Sequence, residues 1–183
     1  MSEPEGTRIV GVCVCAPETT WLTDAMVAAG GAAIPRGELA DPRAAPEIVF
    51  LLGSRLAGPG VTAATALAAV DAVSCGIQVS GDGSTTWFAT GPVAVPPAGL
   101  DLTLEACLVE VDGQVVDSAT GAAVLGHPAE ALALAANELG RRGRALEPGW
   151  IVFTGGLTDA VACPAGTAVA AHFTSLGSVF LPR

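Results

Sequence analysis

The sequence predicts an α+β domain, in which short strands make up most of the chain and two helices pack on them. Apolar and β-branched residues alternate in several short runs, which is the pattern of half-buried strands. Glycines and prolines, 23 and 13 in number, separate these runs. Because 51% of the 183 residues are apolar, the chain can bury a core. We expect 1–183 to form a single domain, with 1–7 flexible.

The first half of the chain begins with two predicted strands. The sequence RIVGVCVC predicts a strand at 8–15, and EIVFLL predicts another at 47–52. Between them, a polar stretch and a loop rich in Gly, Ala and Pro run from Pro17 to about Pro46.

The next segment predicts the first helix. After the GPG sequence at 58–60, an Ala-rich run predicts a helix over 61–73. A short strand at 77–80, a turn at 81–84 and a strand at 87–95 follow.

The clearest hairpin joins 100–111 to 114–118. Its connection is Asp112-Gly113, and an Asp-Gly pair between apolar runs favours a type I′ turn, since both central residues need a positive φ.

The last third begins with a predicted helix from Pro128 to about Arg142, because proline is well placed in the first turn of a helix. Strands then follow at 150–154, 168–174 and 178–181.

The charged residues exclude several kinds of chemistry. Acidic residues outnumber basic ones by 18 to 8, every basic residue is Arg, and Lys and Tyr are absent. A Schiff-base lysine, a P-loop lysine and a tyrosine general acid are therefore impossible. The net charge of −10 disfavours nucleic acid as a partner. Without a long apolar run, or a start that resembles a signal peptide, we expect a cytoplasmic protein that binds no membrane.

Five cysteines, without a CxxC pair, predict free thiols in a reducing compartment. Cys13 and Cys15 point the same way on a strand, which disfavours a disulfide between them.

The C-terminal third, 126–183, carries three motifs in order. These are GHP at the start of the second helix, LEPGWIVFTG around a strand, and LGSV in the last strand. Together with the central segments 41–73 and 97–116, they resemble the 2-keto-4-pentenoate hydratase family. That family belongs to the fumarylacetoacetate hydrolase superfamily, together with the 4-oxalocrotonate decarboxylases. The resemblance covers most of the chain from Arg8, as a shortened and divergent member.

The resemblance implies a mainly-β roll or barrel of the fumarylacetoacetate hydrolase C-terminal type, with two helices packed on it. It also implies a small-molecule substrate and a homo-oligomer, at least a dimer. In the relatives, three carboxylates hold a divalent metal that binds a 2-oxo acid. Their Glu-x-Glu pair matches Ala45-Pro46-Glu47 here, and the third carboxylate matches Gln78. One carboxylate and one amide are a poor site for Mg²⁺.

Two further departures support the expectation that the metal is lost. The family's first strand carries a lysine at the position that is Cys13 here. The segment after Gln78 is short in this chain, whereas in the relatives the matching segment helps to cover the site. Asp82 is a possible replacement ligand, but its position in a turn disfavours it. We therefore expect no metal ligand and no cofactor.

The candidate catalytic residues are Glu47, as a general acid–base, and Gln78, as a hydrogen-bonding partner of a carbonyl group. A solvated glutamate and a structural amide are the alternatives. The residues expected to contact substrate are Cys13, Ser84, Thr85, Trp87, Thr154 and Gly155. Backbone N–H groups beside Gly155 could stabilise an oxyanion, although a plain turn is the alternative.

The favoured functional hypothesis is a repurposed, metal-independent cyclase, isomerase or lyase. Its substrate would be an enol-, enone- or polyene-containing biosynthetic intermediate, closed by conjugate addition or a pericyclic reaction in an apolar pocket. One alternative is a Mg²⁺-dependent 2-hydroxydienoate hydratase or 2-oxo acid decarboxylase. A second alternative is a non-catalytic pseudo-enzyme that binds or stabilises a partner.

Overall fold

Two sheets and two α-helices make up the structure. The computed structural model describes residues 6–15, 18–28, 33–82 and 85–183, so part of the predicted flexible segment 1–7 lies outside the described residues. Strands β1 to β11 cover Ile9–Cys15, Glu18–Thr23, Arg43–Leu52, Val70–Ser80, Thr86–Val95, Ala106–Val111, Gln114–Thr120, Ile151–Phe153, Val161–Ala162, Val169–Phe173 and Gly177–Leu181. The helices are α1 (Ala63–Leu67) and α2 (Pro128–Arg141). Neither of these described helices is long and apolar enough to cross a membrane.

The larger sheet has seven strands in the order β2-β1-β8-β3-β4-β5, with β9 paired to β3. Its strands are antiparallel except for β1 and β8, which are parallel. The smaller sheet, β11-β10-β6-β7, is antiparallel throughout. The expected mainly-β α+β architecture is confirmed.

The larger sheet curls until its two ends meet. Beyond β2, Val27 forms a bridge with Phe88 of β5, and the backbone N–H of Ala28 donates to the Phe88 carbonyl oxygen at 2.8 Å. In addition, Cys13 on β1 contacts Gln78 on β4 although two strands lie between them in the sheet. Such contacts require a strongly curved sheet with a concave face.

Both faces of the curled sheet are apolar. Ile48, Phe50 and Leu52 of β3 face the main core with the helices and the smaller sheet, because alternate residues of a strand point to opposite faces. The concave face holds a second cluster of buried side chains, namely Cys13, Leu22, Val49, Phe88 and Phe153.

The predicted hairpin turn and second helix are confirmed, but the first strand of the hairpin begins at Ala106 and not at 100. Asp112 and Gly113 have φ values of 49° and 82°, as a type I′ turn requires. Helix α2 begins at Pro128, and the Nδ1 atom of His127 caps it by accepting from the backbone N–H of Ala129 at 3.0 Å.

The predicted helix over 61–73 is wrong in length. Helix α1 ends at Leu67, and β4 begins at Val70 and pairs with β3 along almost its whole length. Pairing with β3 overrides the local preference of the alanines for a helix, and in the sheet Val73 and Cys75 are completely buried. The segment from Pro17 to about Pro46, predicted to be polar and then a loop, contains β2, which pairs with β1, and β3 begins within it at Arg43.

Gly11 allows β1 to lie directly against β8. A Cβ atom at position 11 would overlap the carbonyl oxygen of Ile151 on β8. We expect Gly11→Ala to lower the free energy of unfolding by about 1–3 kcal/mol or more, because backbone must move to admit the methyl group. Urea denaturation measures the loss. Gly37→Ala is the control, since its Cβ would lie 3.9 Å from the nearest neighbour, the Cβ of Ala165. Equal stability of the two variants would contradict the close approach of β1 and β8.

Candidate functional site

Glu47 lies at the centre of the site, fully buried on the concave face. Its Oε2 atom accepts a hydrogen bond from the backbone N–H of Gly155 at 2.7 Å, whereas its Oε1 atom is buried without a hydrogen-bond partner. Burial raises the pKa of Glu47 to about 8, although the Gly155 N–H opposes this rise. Metal-free Glu47 is therefore mostly protonated at neutral pH.

The loop after β8 is held against β3, which positions the donor to Glu47. Thr154 uses both its backbone N–H and its hydroxyl to donate to the Ile48 carbonyl oxygen, at 3.2 and 2.9 Å. Gly155 has a φ of +97°, and a Cβ there would lie 2.7 Å from the Val14 carbonyl oxygen. Glycine is therefore required at the position whose N–H reaches Glu47.

Gln78 lies on the same face as Glu47. The register of β3 and β4 pairs Ala45 with Gln78, and alternation puts Ala45 and Glu47 on one side of β3. Ala45, Glu47 and Gln78 therefore lie together on one face of the sheet, and their match to the family motif stays a prediction.

Two thiols face this group from β1. Cys13 donates to the Oε1 atom of Gln78 at 3.6 Å, and the Sγ atoms of Cys13 and Cys15 are 3.5 Å apart. The hydrogen bond between the two sulfurs lowers the pKa of Cys15 to about 7, and it raises the pKa of Cys13, as burial does. Cys15 is exposed, whereas Cys13 is buried.

A cleft of about 300 Å³ opens beside Cys15 and Gly155. Its remaining walls are the loop that ends at Gly156 and the segment 123–125, which precedes α2. Among the described residues that line the cleft, none carries a charged side chain other than the ionisable thiol.

The structure brings together five of the residues predicted for the site, namely Glu47, Gln78, Cys13, Thr154 and Gly155. It does not bring Trp87 or Thr85 there. Trp87 packs against the main core because it lies on the opposite face of β5 from Phe88, and Thr85 is exposed before that strand. Ser84 lies outside the described residues.

Sequence reasoning missed Cys15 and the wall at 123–125 as parts of the site. Alternation along β1 was the available signal for Cys15, since it lies two residues after Cys13. Asp82 is exposed, and its backbone N–H donates to the Ala40 carbonyl oxygen. In the described part of the chain, no three His, Cys, Asp or Glu side chains are grouped so that they could hold a metal ion.

Solved structures identify the fold class. The 4-oxalocrotonate decarboxylase of Pseudomonas putida G7, complexed with calcium and acetate, has a TM-score of 0.88 to this chain and 28% sequence identity, covering 96% of this chain and 77% of that chain. A fumarylacetoacetate hydrolase from Exiguobacterium antarcticum, 15% identical over 95% of this chain and 74% of that one, shares the fold with a TM-score of 0.76. No model of a known protein family matches the chain.

Curated relatives give the family. A 4-oxalocrotonate decarboxylase of Pseudomonas sp. (strain CF600) is 33% identical over 87% of this chain, which spans 66% of that protein's length. A 2-hydroxyhexa-2,4-dienoate hydratase of Comamonas testosteroni is 32% identical over 91% of this chain and 75% of its own length. The chain belongs to this hydratase and decarboxylase family of enzymes within the fumarylacetoacetate hydrolase superfamily.

The expectation of no cofactor is wrong. The 4-oxalocrotonate decarboxylase of Pseudomonas putida G7 has been solved with calcium and, in a second structure, with magnesium and adipate. The second structure has a TM-score of 0.87 to this chain at 28% identity, covering 96% of this chain and 78% of that one. These findings point to a metal cofactor in the family and remove the premise of a metal-independent enzyme. The expectation rested on the missing charges at Ala45 and Gln78, which leave Glu47 as the one carboxylate of the matched motif.

The raised pKa of Glu47 predicts a pH dependence of stability. The folded chain keeps a proton that the unfolded chain releases near pH 4.5, so the free energy of unfolding should fall as pH rises from about 4.5 to about 8. The limiting slope is about 1.4 kcal/mol per pH unit. In Glu47→Gln this contribution should disappear.

Urea denaturation of both proteins across this range, with EDTA present, measures the difference. If the free energy of unfolding changes with pH in the same way for both proteins, Glu47 ionises in the folded state as easily as in water.

Proposed function

We propose that the protein is a metal-dependent lyase of the 2-hydroxydienoate hydratase type, with decarboxylation of a 2-oxo acid as the second candidate. The observation that carries the proposal is the buried Oε1 atom of Glu47, which has no partner although Gly155 holds the other carboxyl oxygen. Unpaired buried oxygens are costly, and a cation beside Oε1 would satisfy this one. The named activities of the family's relatives support the same proposal.

The donor set at the site fits a divalent cation that shares its coordination shell with substrate. Glu47 supplies one carboxylate oxygen, and Gln78 supplies an amide oxygen from the neighbouring strand on the same face. Magnesium is often held by only one or two carboxylates, with the remaining ligands from waters and substrate. A 2-oxo acid can provide two such oxygens. Glu47 and Gln78 would therefore hold the ion.

A bound divalent cation would supply Lewis acidity, which polarises a 2-oxo group. The chain's own residues prepare the site for it. The N–H of Gly155 fixes the orientation of the Glu47 carboxyl group, so that Oε1 faces away from the loop after β8. Beneath the site, Leu22, Phe88 and Phe153 exclude water from the concave face. A carboxylate in such surroundings interacts strongly with any cation beside it.

The cleft favours a substrate with a single carboxylate. Its described walls at 123–125 and 154–156 carry no Arg, and no Lys exists in the chain. The oxalocrotonate of the decarboxylases is a dicarboxylate, whose distal charge would lie against these uncharged walls without a partner. Hydroxydienoates have no distal charge. The expected homo-oligomer and cytoplasmic location stay predictions.

Turnover of 2-hydroxypenta-2,4-dienoate tests the proposed function. Loss of the conjugated ultraviolet absorbance should occur with Mg²⁺ or Mn²⁺ and stop with EDTA. Glu47→Gln should lower kcat/KM by about 100-fold or more, since even indirect partners of metal ligands cost 10–100-fold.

Glu105→Gln is the matched control, because Glu105 is also buried and accepts backbone hydrogen bonds, from Ser175 and Leu176. It should retain turnover. If neither this dienoate nor oxalocrotonate is turned over in the presence of any of these cations, the proposed function is refuted. Turnover that persists in EDTA would refute the metal requirement.

Ala45→Glu tests the metal position separately. The new carboxylate would lie opposite Gln78 and on the same side of β3 as Glu47. We expect the variant to bind Mn²⁺ at least about 10-fold more tightly than the natural chain, because a second charged oxygen joins the site. Isothermal titration calorimetry measures the affinity. Unchanged binding would place the cation away from this face of β3.

A further inference from the structure

We propose that Leu125 limits the length of the substrate, because its side chain separates the cleft beside Gly155 from a second cleft along α2. The natural chain would then act on 2-hydroxydienoates with short, uncharged tails. The inference rests on the proposed function, since it concerns the substrate of the same site. It adds the residue that selects among such substrates.

Two clefts share Leu125 as a wall. The cleft that holds Gly155 has a volume of about 300 Å³, and the segment 123–125 closes one side of it. A second cleft, of about 330 Å³, lies beside α2, and Leu125 is again part of its wall. Among the described residues that line these two clefts, Leu125 is the one that they have in common. A substrate that binds beside Glu47 and extends across the first cleft therefore meets this side chain.

The backbone of Leu125 has a conformation that leucine rarely adopts. Its φ of +50° lies in the left-handed region, where a side chain crowds the backbone and glycine is preferred. The turn is fixed on both sides of it, because Val124 is buried and the N–H of Gly126 donates to the Ala122 carbonyl oxygen at 3.0 Å. Leu125 is nevertheless 52% exposed, so burial does not compensate for the strain. A strained residue that persists beside a cleft indicates a functional constraint on its side chain.

The second cleft suits an alkyl chain and not a second carboxylate. Val61, Ala133 and Leu134 contribute apolar side chains to its walls. Among the described residues that line it, Glu130 is the one that carries a charge, and that charge is negative. An alkyl tail would be stabilised by burial against these walls, whereas an anionic tail would be repelled by Glu130. The space beyond the first cleft could therefore accept a longer uncharged substrate if the wall between the clefts were removed.

The variant Leu125→Ala tests the inference through substrate selectivity. Loss of the isopropyl group would open the first cleft into the second. The ratio of kcat/KM for 2-hydroxynona-2,4-dienoate, which carries a butyl group on C5, to kcat/KM for 2-hydroxypenta-2,4-dienoate should therefore rise about 10-fold or more. Ultraviolet absorbance measures both reactions in the presence of Mg²⁺. The variant Leu125→Ala/Leu134→Trp should lose this gain, because an indole would fill the second cleft.

Leu108→Ala is the matched control, because Leu108 is also a half-exposed leucine but lies on β6 in the smaller sheet. It should leave the ratio unchanged. If the alanine variant of Leu125 folds poorly, Leu125→Gly opens the same wall, and glycine adopts a positive φ without strain.

A binding measurement separates this inference from the proposed function. Isothermal titration calorimetry with Mn²⁺ compares the affinities of 2-oxononanoate and 2-oxopentanoate, which have the same two chain lengths. If the natural chain turns over a dienoate, an unchanged kcat/KM ratio in Leu125→Ala overturns the inference and leaves the proposed function standing. If no dienoate reacts, the proposed function is refuted. The affinity ratio then decides, since a shift of about 10-fold towards the longer acid supports the inference and no shift overturns it.

Discussion

The site depends on the position of one short strand. Strand β8 has only three residues, yet it joins β1 and β3 by pairing in parallel with the first and antiparallel with the second. Its end delivers Thr154 and Gly155 to β3, where they bond to Ile48 and Glu47. Parallel pairing of β1 with β8 in turn brings Cys13 to the same end of the concave face. Without β8, the acid and the thiols would have no common space.

Burial of Glu47 is costly, and its cost indicates a functional constraint. A carboxyl group without charge partners, at the bottom of an apolar concave face, loses hydration that one hydrogen bond from Gly155 only partly replaces. A glutamine would fill the same volume, and burial of its amide group would cost less free energy than burial of the carboxyl group. Strongly perturbed acids beside a cleft are typical of functional sites, and the missing partner of Oε1 indicates which side of the group is used.

Local signals account for the parts of the fold that the sequence predicts well. Asp112 and Gly113 determine their hairpin because each must take a positive φ, and Pro128 marks the start of α2. The prediction of a helix after Leu67 is wrong because long-range strand pairing overrides the local signal there. Its alanines favour a helix locally, but pairing with the ten residues of β3 buries far more apolar surface. Strand β2 was missed because it, too, is specified by pairing with another strand, here β1, and not by a local sequence signal.

The residues of the candidate site also divide into those that local signals predict and those that only the tertiary structure reveals. Glu47 and Gln78 could be predicted because the family motifs mark them and strand alternation places both on one face. Trp87 could not be assigned correctly, since its side depends on the register of β5. The wall at 123–125 is distant in the sequence from every other part of the site. Only closure of the sheet brings it to the cleft.

The uncharged neighbours of Glu47 determine what the site can hold. Ala45 and Gln78, which the family resemblance matches to charged positions, both lie on the same face of the sheet as Glu47. The buried Oε1 atom of Glu47 has no partner, and the cost of that burial favours a site that still receives a cation. The uncharged cleft walls then restrict what such a site can hold, since a second carboxylate would be desolvated there without a partner. The uncharged neighbours of Glu47 and the uncharged cleft therefore favour the proposed chemistry, in which a singly charged dienoate completes the ligands of a cation beside Glu47.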